Sequence, residues 1–386
     1  MVKSLAQISA FLPSRRILLG PGPSDVHSRV LEAMARPTIG HLDPQFGEML
    51  EELKVLLRYG FQTENLLTFP LSAPGSIGME TCFVNLVEPG DKVIVCSNGA
   101  FGQRMAENVR RVRGELVLVE DAWGAPVDPQ KLEDALRAHP DTAVVAFVHA
   151  ETSTGAKSDA KLLTEIAHRH GALVICDAVT SLGCIPVLVD EWQLDAVYSA
   201  SQKGLSCTPG LSPLSFGDRA VHKLKHRKSA VQSWFMDLNL VLGYWEAVGG
   251  SKRTYHHTAP INALYGLHES LRMLAEEGLE TCWARHQAVH EALVKGLIGF
   301  GLELLVEKHA RLPQLNSVIV PPGMDEQQIR IEMLEKHNIE IGAGLGNLAG
   351  KIVRIGLMGT SATINNVNAC LHALEDVMGI KTSSHE

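Results

Sequence analysis

Lys203 closes the run Asp195-Ala-Val-Tyr-Ser-Ala-Ser-Gln-Lys203, in which Ala196, Val197 and Tyr198 read as a short apolar strand. A lysine at the mouth of a buried strand is awkward for a solvated charge. It suits an amine that forms a Schiff base with a carbonyl cofactor, since covalent bonding removes the cost of burying an ammonium. The other reading is a strand that ends and lets its lysine reach water, and the local residues alone favour it. Asp177 stands at the end of another apolar run, Leu173-Val-Ile-Cys176, and is followed by Ala178-Val-Thr-Ser181. A carboxylate there lies in the crevice where α/β sheets bind ligands, and it could hold a pyridine nitrogen protonated or cap the next helix. Arg354 sits inside the apolar run Ile352-Val-Arg-Ile-Gly356. A buried arginine wants a carboxylate, from a substrate or from a structural salt bridge.

Other residues could complete such a site. Pro74-Gly75-Ser76 stands before a helical pattern, and free N–H groups beside a glycine and a hydroxyl suit a phosphate as well as an ordinary N-cap. Glu151-Thr152-Ser-Thr-Gly155 puts hydroxyls after a further strand, and Phe101, in Asn98-Gly-Ala-Phe-Gly-Gln-Arg104, could stack on a planar ring or fill a core. His256 and His257 are adjacent and lack a third ligand at suitable spacing, so no metal is expected. Gly342-Ala-Gly-Leu-Gly346 precedes a strand instead of following one into a helix and fails the dinucleotide spacing, so it reads as a flexible turn.

The elements that must position these residues alternate. Strands are expected at Leu67–Leu71, Lys92–Cys96, Leu116–Val119, Ala143–Val148, Leu173–Cys176 and Ala196–Tyr198, most of them separated by helical patterns such as Asp159–His170. That beat predicts an α/β layered sheet, mostly parallel and covered by helices on both faces. After about residue 265 two long helical stretches lead to strand candidates at Leu302–Val306, Ser317–Val320 and Val353–Leu357, an α+β pattern. The expected organisation is an N-terminal arm over 1–22, a large domain over 23–265 and a smaller C-terminal domain over 266–386. Ile17–Pro23, broken by alternating glycine and proline, must be a rigid irregular loop.

The totals set limits. A chain of 386 residues with 45% hydrophobic and 20% charged residues is an ordinary globular composition. A net charge of -8 gives no pull toward nucleic acid or an anionic membrane. The basic run His222-Lys-Leu-Lys-His-Arg-Lys228 is expected to be a solvated helix face. Seven scattered cysteines without a CxxC pair suggest free thiols in a reducing compartment. No secretory signal, membrane span or address in the tail 381–386 is expected, which points to the cytoplasm.

Taken in order, these stretches resemble a known family: Leu19-Gly-Pro-Gly-Pro-Ser24, Phe61-Gln-Thr63, Val84-Asn-Leu-Val-Glu-Pro-Gly-Asp91 and Asn98-Gly99. Glu151-Thr-Ser-Thr-Gly155, Asp177, Ser199-Ala-Ser-Gln-Lys203, Tyr255-His-His-Thr258 and Arg354-Ile-Gly356 continue the series. The chain resembles a class V aminotransferase of the fold-type I pyridoxal-phosphate enzymes, nearest the alanine–glyoxylate (serine–pyruvate) branch. The resemblance implies that Lys203 forms the Schiff base with pyridoxal 5'-phosphate and that Asp177 pairs with the pyridinium nitrogen. Phe101 is implied to stack on the ring, and Thr152 to contact the region of its hydroxyl. Gly75, Ser76 and Gln202 are implied to hold the phosphate, with Tyr255 and Thr258 reaching in from a partner subunit of a homodimer. Arg354 is implied to clamp the substrate carboxylate, with Gly22 beside the substrate. The phosphate loop departs from the family, reading Ser72-Ala-Pro-Gly-Ser76 where many relatives carry a Ser-Gly-Ser-Gly-His-like turn, and Pro74 removes one backbone donor. Gly40–Phe46 and Val189–Trp192 also resemble the ureidoglycine–glyoxylate aminotransferases, but His41 and Tyr255 stand where those tend to have Gln and Asn. Cysteine desulfurases and related lyases of this fold are a more distant alternative, as no cysteine lies in a Gly/Ser-rich loop.

Overall fold

The fold was described from a computed structural model, which covers residues 9–245 and 253–380; the tail 381–386 and the first eight residues of the expected arm lie outside the described residues. The chain begins with β1 (Ile17–Leu18), α1 (Ser28–Met34) and α2 (Pro44–Phe61). It continues with β2 (Leu67–Leu71), α3 (Gly75–Leu86), β3 (Lys92–Ser97), α4 (Ala100–Arg111), β4 (Glu115–Glu120), α5 (Pro129–Ala138) and β5 (Thr142–Val148). A small hairpin of β6 (Ala150–Glu151) and β7 (Ala156–Lys157) leads to α6 (Ala160–Arg169), β8 (Leu173–Asp177), β9 (Ala196–Tyr198) and β10 (Ser212–Phe216).

Seven of these strands form one sheet in the order β2-β10-β9-β8-β5-β3-β4. Only β10 runs against its neighbours, so the sheet is mostly parallel. β2 and β10 are buried along their whole length, and β3 and β5 almost so, as expected of strands covered on both faces. Helices start where their caps direct: Asp43, Asp128 and Asp159 each accept a backbone N–H of the first turn, and proline follows the first two. β10 is the strand not expected from sequence. It carries Pro213 in mid-sheet, where a missing N–H normally argues against a strand; the Pro213 carbonyl still accepts from Ser199 N at 2.7 Å.

The remaining elements are α7 (Asp218–Lys225), α8 (Leu238–Trp245), α9 (Ile261–Glu277), α10 (Leu279–Gly299), β11 (Leu315–Ile319), α11 (Glu326–His337), β12 (Ile339–Glu340), β13 (Gly342–Ala343), β14 (Ile352–Gly356) and α12 (Ile364–Met378). A first core runs from Val30 to Cys282, taking in α9 against α1 and α2. A second gathers residues from α10 onward together with Leu19, because β1 pairs in parallel with β12. The basic run lies on α7 and just after it, but Lys223 is paired with Glu88 and Asp91. Three expectations are corrected. Ile17 and Leu18 are not loop: they form β1 and pair with Ile339 and Glu340, and the irregular stretch begins after them. Leu302–Val306 is not a full strand: Leu304 makes a single bridge to Val318 before the chain turns into Lys308–Ala310. Gly342–Gly346 is not a loose turn: Gly342 and Ala343 pair with Arg354 and Val353. A Cβ on Gly344 would lie 2.0 Å from the Leu348 carbonyl oxygen, so this is tight packing.

Candidate active site

The parallel strands point their carboxyl ends to one rim, where Asp177 ends β8 and Gly75, Ser76, Phe101, Thr152, Gln202 and Lys203 lie in the segments that follow β2, β3, β5 and β9. Gly75, Ser76, Phe101, Thr152, Asp177, Gln202 and Lys203 line one cavity of about 230 Å³, together with Met79, Arg104, Val179 and Ala200. A wider groove of about 820 Å³, walled by Trp192 and Trp283, holds none of the candidate site residues.

Asp177 lies level with Tyr198 in the β8–β9 pairing. Its Oδ2 accepts from the fully buried Tyr198 hydroxyl at 2.7 Å and its Oδ1 from Val179 N at 2.8 Å. Burial nevertheless dominates and pushes the carboxyl up to about 6, the two hydrogen bonds only partly offsetting it. Lys203 is displaced the other way, to about 8, chiefly by burial and then by the nearby Arg354 cation. Its Nζ donates to the Pro21 carbonyl. Ser24 fixes the same segment, its N–H on the Gln202 carbonyl at 2.9 Å and its hydroxyl on the Lys203 carbonyl at 2.8 Å. Gly22 is required by its φ of +107°, and without a Cβ it also leaves the Lys203 side chain room to lie against it.

The other end of the cavity is built from helix starts. No side chain caps α3 at Pro74, and a Cβ on Gly75 would meet the Ala200 Cβ at 2.8 Å, so only glycine admits the close approach of α3 to the Lys203 loop. Gln202 keeps its buried Oε1 without a partner among the described residues. Phe101 opens α4, whose N-terminus is anchored by a residue the sequence reading left without a role. Glu151, fully buried, accepts from the backbone N–H of Phe101 and Gly102 at 3.2 and 3.3 Å. It also accepts from Ser153 N and Oγ. A carboxylate against a helix N-terminus also meets the positive end of the helix dipole. Thr152 bonds the Thr180 hydroxyl, and its carbonyl accepts from Arg354 Nη1 at 2.9 Å.

Arg354 is buried, and it is tied to two carbonyls, Thr152 and Ala343, instead of forming a structural salt bridge among the described residues. Burial lowers it to about 10. It does not line the cavity itself but backs onto it through Thr152. Tyr255 and Thr258 are not brought to this chain's own cavity. Tyr255 is 66% exposed and packs edge-on to His41, in the same segment in which His257 bonds Ser72 and His256 stacks on Trp234.

These residues fit pyridoxal phosphate. A buried carboxylate raised by burial suits a ring-nitrogen cation; a lysine lowered toward neutrality suits an aldehyde. A glycine-lined helix start with no side-chain cap leaves backbone N–H groups that suit a phosphate.

Comparison with known proteins agrees with this chemistry. The family described as Aminotransferase class-V matches residues 26–369. Alanine–glyoxylate aminotransferase of Oryctolagus cuniculus is 39% identical over 94% of this chain and 92% of its own. The crystal structure of alanine–glyoxylate aminotransferase from Nostoc sp. superposes with a TM-score of 0.94 at 44% identity, covering 96% of this chain and 97% of that one. The ureidoglycine–glyoxylate aminotransferase of Bacillus subtilis follows with a TM-score of 0.93 at 34% identity, over 98% and 96%. Cysteine desulfurase from Thermococcus onnurineus shares the fold at 16% identity and a TM-score of 0.75, covering 94% and 95%. The chain therefore belongs to the class V aminotransferases, fold-type I enzymes that work with pyridoxal phosphate.

Proposed function

We propose that the protein transfers the amino group of a small amino acid, alanine or serine, to glyoxylate, giving glycine and a 2-oxo acid. The observation that carries the chemistry is that Asp177 and Lys203, both buried, line one cavity, and the substrate pair is supported by the likeness to alanine–glyoxylate aminotransferases. Pyridoxal phosphate supplies, when bound, an aldehyde for the amine and a ring that withdraws electrons. Lys203 Nζ, lowered to about 8, gives up its proton far more readily than a solvated lysine, and as the free amine it is a base that can take the proton from the donor's Cα and return it. Asp177 orients the ring by accepting from its nitrogen, and Tyr198 and Val179 hold that carboxylate in place. Phe101 covers one face, and Arg354, with donors left beyond its two carbonyls, takes the substrate carboxylate next to Gly22.

The same reading makes the working unit a homodimer. Tyr255 and Thr258 lie outside their own chain's cavity, and exposed Trp234 (62%) stacks in the same segment, as a surface that meets a partner's site would. The seven cysteines are all unpaired and buried, which supports a reducing cytoplasmic setting and disfavours a desulfurase, whose chemistry needs an accessible thiol. No described helix is long and apolar enough to cross a membrane.

Ureidoglycine as donor is the second reading, supported by the Bacillus subtilis structure. One spectrum tests both. The purified protein should absorb visible light and lose that band with Lys203→Ala; a protein that ignores added pyridoxal phosphate would sink the reading. L-alanine, L-serine and ureidoglycine, added singly, should bleach the band only with the true donor.

A further inference from the structure

A phosphate monoester brings close to two negative charges into its cup, and the loop expected to hold it supplies none of the opposite sign. Pro74 has no N–H, Gly75, Ser76 and Gln202 are neutral, and so are Tyr255 and Thr258. Two further cations belong elsewhere. Lys203 Nζ is turned to the Pro21 carbonyl, and Arg354 backs onto the Thr152 side.

One guanidinium does stand at the phosphate end. Arg104 lines the cavity, its Nη1 donates to the Ser76 hydroxyl at 3.2 Å, and its Cζ lies 4.9 Å from the centre of the Phe101 ring. Phe101 and Arg104 are three residues apart on α4, so they share the face that looks at the cavity. Stacking on the ring orients the planar fork without using its N–H groups, and no carboxylate is paired with it among the described residues.

We propose that Arg104 is the charged phosphate-holding residue of this chain, acting with Ser76 in a loop that carries no basic side chain. This rests on the reading of the cavity as a pyridoxal-phosphate site. A guanidinium spans two phosphate oxygens with parallel N–H donors, which a hydroxyl or amide cannot do. The contact matters most when the cofactor is in its amine form, since nothing covalent then ties it to Lys203.

The test uses pyridoxamine 5'-phosphate and pyridoxamine, neither of which can bond covalently to Lys203. Their dissociation constants are measured on cofactor-free full-length protein by fluorescence titration. Arg104→Met should weaken pyridoxamine 5'-phosphate by about tenfold or more, the loss expected for one charge-assisted contact, while leaving pyridoxamine unchanged. Arg104→Lys should recover much of the loss. Equal binding of the phosphorylated ligand by wild type and Arg104→Met would overturn the proposal. So would an equal loss for both ligands, which would mean that Arg104 merely supports Phe101. If the wild type binds neither pyridoxamine 5'-phosphate nor pyridoxal phosphate, it is the reading of the site itself that fails.

Discussion

Asp177→Asn, tested in the cofactor-free protein, should flatten the pH dependence of stability. In the unfolded chain the carboxyl ionises near 3.8; in the folded cofactor-free chain burial delays it to about 6. The raised value means that folding favours the protonated acid. Its contribution is fully present below pH 3.8 and lost as pH rises through 6. The full difference is about 3 kcal/mol, of which about 1.4 kcal/mol falls between pH 5 and pH 8. For a chain of this length that corresponds to roughly 2 °C in Tm. Asparagine cannot ionise. It does turn an NH2 toward one of the two donors, Tyr198 hydroxyl or Val179 N, which costs about 1–3 kcal/mol at any pH. The quantity to compare is therefore the change from pH 5 to pH 8 within each protein, by urea or thermal unfolding. Wild type should lose about 1.4 kcal/mol more than Asp177→Asn over that range. Saturating pyridoxal phosphate should abolish the excess in wild type, because a cation against Asp177 lets it ionise inside the fold. Parallel pH trends in the two cofactor-free proteins would refute the assignment of a strained, uncompensated carboxylate.

Two further outcomes can be read from cofactor capture and donor binding. With Lys203 lowered to about 8, about one amine in ten is neutral at pH 7. The rate at which cofactor-free protein develops the visible band should therefore climb with pH and level off just above 8; a rate still climbing at pH 10 would mean an ordinary solvated lysine. Arg354→Ala should raise the dissociation constant of the amino donor, read from band bleaching, by about 30- to 100-fold, as for a lost bidentate charged contact. Retention of cofactor on dialysis should be unchanged, and equal loss of donor and cofactor would argue against a clamp.

Much of the site was legible because a parallel sheet delivers its strand ends to one rim. Once Leu173–Cys176 and Ala196–Tyr198 read as buried parallel strands, Asp177 and the Lys203 loop fell on the same rim; that they line one cavity follows from β8 and β9 being neighbours. What could not be read depends on contacts between distant segments. Glu151 looks like any loop acid until α4 places two N–H groups on its carboxylate. Arg104 stays exposed on α4, and only the fold shows that α3 brings Ser76 within its reach. Pro213 hid β10, because the rule against proline in a central strand concerns the missing N–H and says nothing of the carbonyl, which Ser199 uses. Local pattern thus located the chemical groups, whereas their partners required the tertiary fold.

Three of the ionisable groups at the site are displaced toward neutrality, with burial the largest cause for each: Asp177 up, Lys203 and Arg354 down. Each displacement is relieved by a different complement: a cation for the aspartate, a carbonyl for the lysine, an anion for the arginine. Arg354 also helps to hold Lys203 down by like-charge repulsion. In the proposed role, a carboxylate docking on Arg354 would do more than anchor the substrate: it would screen that repulsion and strengthen Lys203 as a base at the moment a Cα proton has to be taken. Amino acids without a free carboxylate should for that reason lose proton-transfer rate as well as affinity, a coupling that a purely steric pocket would not produce.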